Sequence, residues 1–185
     1  MSEKKTDLGN YNNGWYKTGG NFFQRATWFL CNAVFFKAGI FPFMGFKIAL
    51  LRLYGCKAGK GIYIKPGVNI KYPWLLQIGD HTWIGENVWI DNLARVTIGS
   101  NVCLSQGAML LTGNHDHASA GFDLMVKEII LEDGVWIGAK SVVCPGVTCF
   151  SHSVLSVLSV ANRDMEAYTI YSGNPAVIKR KRIIS

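Results

Sequence analysis

Apolar positions along this chain keep a spacing that neither common secondary structure uses. The series runs Ile64, Ile70, Ile78, Ile84, Ile90, Ile98, Leu104 and Leu110, and resumes at Leu131, Ile137, Val143, Cys149 and Leu155. Four residues after most of these stands a small or β-branched side chain: Val68, Thr82, Val88, Ala94, Val102, Ala108, Val135, Ser141, Val147, Ser153 and Ser159. Helices repeat every 3.6 residues and strands every two. A six-residue register held this long therefore predicts short strands joined by corners into a coil, three hexads to a triangular turn. Steps of eight from Ile70 to Ile78 and from Ile90 to Ile98 put Ala58, Ile78 and Ile98 twenty residues apart, so two extra residues sit at the same corner of consecutive turns. The step from Leu110 to Leu131 is twenty-one and leaves an excursion holding Asn114, His115, Asp116, His117 and Phe122. A β-sandwich with accidental spacing is the alternative, and thirteen register positions weigh against it.

The expected architecture is mainly β: a parallel β-helix of about five coils over residues 58–161, with a loop at about 112–128. Residues 1–57 precede it. There Phe22, Ala26, Phe29, Ala33 and Phe36 recur at helical spacing, and a second helical pattern runs from about Phe43 to Tyr54. These helices are expected to cap the open first coil, and contact with a membrane surface is a second role open to them. Residues 162–185 form a turn-rich exit, Tyr171-Ser-Gly-Asn-Pro-Ala176, and a basic tail, Lys179-Arg-Lys-Arg182.

Composition narrows the class. The chain has 185 residues, 49% hydrophobic and 17% charged, enough for one main core with an appendage. Twenty glycines against five prolines suit repeated tight turns. Five cysteines, odd in number and without metal-ligand spacing, read as reduced thiols in a cytoplasmic protein. Residues 1–20 lack the apolar run of a signal peptide, and the stretch Phe22–Leu53 is broken by Arg25, Lys37, Lys47 and Arg52, so no transmembrane helix is expected. Net charge is +7, but residues 1–60 carry nine Lys/Arg against two acids and eight of the ten phenylalanines. That balance fits peripheral contact of residues 1–60 with an anionic membrane face. The repeat region between the basic ends is net negative, which argues against nucleic acid.

Two stretches, Ile78-Gly-Asp-His-Thr-Trp-Ile-Gly-Glu-Asn-Val-Trp-Ile90 and Val135-Trp-Ile-Gly-Ala-Lys-Ser-Val-Val-Cys-Pro-Gly-Val147, resemble the hexapeptide-repeat acyltransferases, and residues 58–178 fit that pattern. Within them Lys71-Tyr-Pro-Trp-Leu75, Trp89-Ile-Asp-Asn-Leu93, Ser105-Gln-Gly107 and Thr112-Gly-Asn-His-Asp116 resemble the colanic-acid-type exopolysaccharide O-acetyltransferases. The resemblance implies a left-handed coil, a homotrimer, acetyl-CoA as donor, a saccharide acceptor and a site between subunits. It places the catalytic histidine at His115, with His117 two residues away as the fallback. Asp116 or a main-chain carbonyl would orient the imidazole. Asp91 and Asn92 fall where relatives bind the acceptor, although an Asp there departs from the Asn of some relatives. The resemblance sets Trp136, Gly138 and Ala139 along the pantetheine groove, Asn162 and Arg163 at the following coil's exit, and Arg180 near the phosphates, which a guanidinium binds well. Phe150 and Leu158 occupy positions where the family pattern has glycine. His81 and His152 lie in turns and are expected to face solvent.

The implied chemistry is direct transfer. A hydroxyl is a weak nucleophile until a base of pKa near 7 takes its proton, and backbone N–H groups would stabilise the oxyanion. No metal is expected. Two rivals remain: a γ-type zinc carbonic anhydrase, which draws three histidines from adjacent subunits of a similar coil, and a non-catalytic β-helix scaffold.

Overall fold

The structure is a computed structural model in which residues 5–39 and 41–185 are described; positions 1–4 and 40, which fall within the segment expected to touch a membrane, lie outside them. Short parallel strands stack into three sheets that form the faces of a prism. The first face is built from Lys57–Ala58, Leu76–Ile78, Val96–Ile98, Ile129–Leu131 and Thr148–Cys149. The second runs from Tyr63–Ile64 through Trp83–Ile84, Cys103–Leu104 and Trp136–Ile137 to Val154–Leu155 and Thr169–Gly173. The third holds Asn69–Ile70, Trp89–Asp91, Met109–Leu111, Val142–Val143 and Val160–Ala161.

Hexad positions become the core because one side chain of each short strand points inward. Ile64, Ile84, Leu104, Ile137 and Leu155 stack in one buried column. The residues four positions on turn the corners: Val68, Val88 and Ala108 are fully buried, and the buried hydroxyls of Thr82 and Ser141 donate to Gly99 O (2.8 Å) and Ser156 O (2.6 Å). Two corners also demand a left-handed backbone at equivalent positions. Gly61, His81, Asn101, Gly134 and His152 share positive φ at the first, and Gly67, Asn87, Gly107, Lys140 and Leu158 at the second. Glycine and asparagine suit that conformation, and stacking holds the other residues in it. Leu158, a departure from the glycine pattern, adopts φ 57° without breaking the coil.

The third corner, between third and first faces, is where the insertions gather: 71–75, 92–95 and the long excursion 112–128 leave the coil one above another. Beyond residue 161 the chain does not become a loose tail. Met165 bridges to Cys149, Thr169–Gly173 continues the second face, and Ala176–Lys181 returns antiparallel along it.

Ahead of the coil, helix α1 (Phe22–Cys31) passes into a π-helical segment (Asn32–Lys37), and helix α2 (Met44–Leu53) follows. Together they close the open edge of the first coil. Trp28 Nε1 donates to Ile70 O (2.9 Å), Lys47 Nζ to Ile64 O (3.3 Å), Arg52 to Ala58 O and Gly59 O, and Gly67 N–H to Phe36 O (3.0 Å). Edge strands left with unpaired groups would be costly and aggregation-prone, so these contacts account for the cap. The stripe expected to face the coil is largely turned the other way. Trp28, Asn32 and Phe36 point inward, whereas Phe22 and Phe29 face solvent. Trp28 and Asn32 hydrogen-bond to the exposed strand edge, which Phe22 and Phe29 could not do, and Phe36 packs beside Trp28. Among the described residues no helix is long and apolar enough to cross a membrane.

Candidate active site

The excursion folds into a β-hairpin, Gly113–His115 against Leu124–Val126, with His115 opposite Leu124. Lys127 N–H donates to Thr112 O (2.9 Å), closing its base, and Asp116 N–H donates to Asp123 O (2.8 Å), closing its tip. Phe122 sits in the left-handed region (φ 57°), and its carbonyl lies 2.8 Å from His115 Nδ1. A carbonyl only accepts, so Nδ1 carries a hydrogen, and in the neutral imidazole Nε2 is then the acceptor nitrogen. The imidazole stacks on the Phe122 ring (4.9 Å, 15°) and has the Tyr11 ring 5.7 Å from its own. His115 is thereby held in one tautomer and one orientation.

Asp116 does not take part in this. Its carboxylate accepts from Ala118 N–H (2.9 Å) and shapes the turn, so of the two orienting partners considered the carbonyl is the one in contact. Tyr11 and the carbonyl of Phe122 were invisible to motif reading: one comes from an N-terminal arm remote in sequence, the other is backbone. The arm is tied across the insertion corner. Asp7 N–H donates to Ala120 O (2.8 Å), Tyr16 OH to Leu93 O (2.6 Å), and Trp74 Nε1 to Thr18 O (2.6 Å). Burial, followed by the charges of Tyr72 and Asp91, raises the pKa of the Tyr16 phenol, keeping it a donor.

Asp91 and Asn92 lie at the same corner but differ. Asn92 is fully buried; its Nδ2 donates to Tyr72 O and its Oδ1 accepts from Tyr72 N–H (3.0 Å), so both amide atoms are spent fastening one insertion to the next. That bonding removes Asn92 from reach of an acceptor in the protomer. Asp91 keeps a partly exposed carboxylate, paired with Lys71 Nζ at 2.8 Å. A groove of about 410 Å³ beside it runs under α1, lined by Arg25, Phe29, Lys37, Lys71, Tyr72 and Trp89.

The residues expected to hold CoA are split. Trp136 stands outward on the second face, its Nε1 donating to Ser105 Oγ (2.9 Å), and Arg180 is exposed on the hairpin strand of that face. Below Trp136, a cavity of about 480 Å³ is lined by Tyr63, Trp83, Glu86, Cys103, Ser105 and Gln106. Ala139 is half-buried at the next corner. Gly138 is buried, and a Cβ there would stand 2.6 Å from Val157 N and 2.7 Å from Leu155 O, so it is glycine to let coils stack closely rather than to line an open groove. Asn162 and Arg163 are exposed on the insertion corner, above the excursion. In a triangular prism the second face lies opposite the corner joining the other two. A single protomer therefore carries His115 on one side and Trp136 and Arg180 on the other.

His81 is exposed as expected. His152 is not: it is half-buried and stacked on Tyr168 (4.7 Å, 2°). Among the described residues no three His, Cys, Asp or Glu side chains converge as metal ligands would. Burial raises the thiol pKa of Cys56 and of Cys149 to about 12 in each case, and it also raises that of Cys103 beside the second-face cavity.

No protein-family model matches the chain. It is 36% identical over 165 residues to WcaF of Escherichia coli, a protein named for acetyl transfer in colanic acid biosynthesis, covering 89% of this chain and 91% of that one. The galactoside O-acetyltransferase of Escherichia coli is 26% identical over 136 residues, covering 72% of this chain and 67% of the relative. Among solved structures, a hexapeptide-repeat acetyltransferase of Vibrio cholerae complexed with acetyl-CoA superposes with a TM-score of 0.79 at 27% identity, covering 88% of each chain. Fold and extent of the match agree, and the chain belongs to the hexapeptide-repeat acetyltransferases, in the group that includes the colanic acid biosynthesis protein.

Proposed function

We propose that the protein moves acetyl from acetyl-CoA to a saccharide hydroxyl of an exopolysaccharide precursor, with His115 as general base, in a homotrimer whose sites lie between subunits. The observation that supports the base assignment is the His115 Nδ1 contact with Phe122 O, which makes Nε2 the acceptor nitrogen of the neutral imidazole. His115 Nε2 takes the hydroxyl proton as that oxygen attacks the thioester carbonyl; the imidazolium then gives the proton to the departing sulfur as the C–S bond breaks. No covalent enzyme intermediate is required. Asp91 accepts from a second hydroxyl of the acceptor, and the Tyr11 ring offers an apolar face against which a sugar ring packs.

The placement of the site's halves supports a cyclic assembly, and the number three comes from the family resemblance. With His115 on one edge and the Trp136 groove on the opposite face, a neighbouring copy must bring the two together, and a closed cyclic assembly does this equally for every subunit. The apolar lining near Trp83 fits a flexible pantetheine arm, and Arg180 on the same face fits phosphate. A cytoplasmic location, which the reduced cysteines suit, gives access to the thioester donor.

The test is His115→Ala assayed for transfer from labelled acetyl-CoA to oligosaccharide fragments. Loss of ~10²-fold or more in kcat is expected for removal of a general base. Activity within about tenfold of the parent protein would sink the assignment.

A further inference from the structure

Both cap helices present large apolar side chains to solvent. At 3.6 residues per turn, Phe22, Phe23, Ala26, Phe29 and Leu30 fall within roughly 120° of arc on α1, opposite the side that Trp28 and Asn32 pack into the coil. Phe22, Phe23, Phe29 and Leu30 are exposed, Phe23 to 77%. Thr27, at the edge of this arc, has its hydroxyl already spent on Phe23 O (2.7 Å). Phe43, at the N-cap of helix α2, and Phe46 and Leu53 within it are exposed as well, Leu53 to 79%. A folded protein rarely leaves so many large apolar side chains together in water without a partner.

Charge identifies that partner. Between Asp7 and Asp80 the chain has no acidic residue, and it carries nine lysines and arginines there. Of these, Arg25, Lys37, Arg52, Lys57 and Lys60 are exposed on or beside the cap. The face also lacks what a protein interface needs. Protein partners exchange about one hydrogen bond per 100–200 Å². Here the exposed arc offers no free donor or acceptor side chain, and its one hydroxyl is satisfied internally. An apolar surface without hydrogen-bonding demands, rimmed by cations, suits a hydrocarbon layer beneath anionic headgroups.

We infer that α1 and α2 form a monotopic docking face, which seats the first-coil end of the prism on an anionic phospholipid bilayer with Phe22, Phe23, Leu30 and Leu53 entering the acyl boundary. The groove under α1 that reaches Asp91 then opens beside the lipid surface. This inference does not depend on the acetyl-transfer reading, because its test involves no catalysis.

The experiment is co-sedimentation of the full chain with vesicles of phosphatidylcholine alone or with about one quarter phosphatidylglycerol, at low and high salt. Binding at least about tenfold tighter to the anionic vesicles, and weakened by salt, is expected. Replacing Phe22, Phe23 and Leu30 together by serine should weaken it on the order of a hundredfold. The unfolding midpoint should not fall, since these side chains support no core. A second variant, Leu53→Ser on the other helix, should weaken binding several-fold on its own and guards against misfolding of the first. Absence of binding to anionic vesicles overturns the inference, as does undiminished binding by both variants. A smaller assembly by sedimentation velocity in the serine variants would assign the face to a second copy of the chain and likewise overturn it.

Discussion

At the scale of single residues, side chains of similar shape serve different purposes at neighbouring positions. Asn92 and Asp91 are adjacent, yet Asn92 is consumed by the backbone of Tyr72 while the Asp91 carboxylate remains partly open. Asn92→Ala would leave the Tyr72 N–H and C=O without their side-chain partners in a partly buried corner. We expect a stability loss of about 1–3 kcal/mol in denaturant unfolding. Asp91→Asn keeps the side chain's shape and should raise KM for the saccharide, with a smaller loss of stability than Asn92→Ala, because Lys71 stays partly exposed to water when the pair is lost. Burial likewise decides the reactivity of two thiols. With pKa raised to about 12 by burial, Cys56 and Cys149 stay protonated near neutral pH and should resist iodoacetamide in the folded protein, then label on unfolding, as mass spectrometry would show.

At the scale of elements, the N-terminal arm and the cap are tied to the coil by hydrogen bonds that hydropathy patterns do not record. Trp28→Phe keeps the buried ring but removes the donor to Ile70 O. A loss of about 1 kcal/mol in unfolding free energy is expected, with no change in KM for acetyl-CoA. The arm bears on chemistry through Tyr11, whose ring lies beside His115. Tyr11→Ala should raise KM for the saccharide several-fold while leaving KM for acetyl-CoA unchanged; an equal rise in both would place Tyr11 outside the acceptor site.

At the scale of the whole molecule, the prism separates what the reaction must join. In the proposed mechanism, His115 at the insertion corner and the groove near Trp136 and Ala139 meet across a subunit interface. Mixing His115→Ala subunits with Ala139→Trp subunits, each inactive alone, should therefore restore activity after dissociation and reassembly. Random mixing in a cyclic trimer gives about a quarter of the sites an intact pair of halves. No recovery would mean that each protomer works within itself.

Much of this was legible along the chain because a β-helix is nearly one-dimensional. Each coil touches its neighbours at a fixed sequence offset, so the hexads revealed the stack, the steps of eight located the crowded corner, and the long gap isolated the loop that carries His115. The winding hand was not among these, since a period has no handedness; it rested on resemblance. Tertiary structure alone decided which side of α1 faces the coil, because the strand edge required donors and phenylalanine supplies none. It also decided what holds His115. A main-chain carbonyl has no letter in a sequence, and Tyr11 reaches the ring from an arm 104 residues away along the chain.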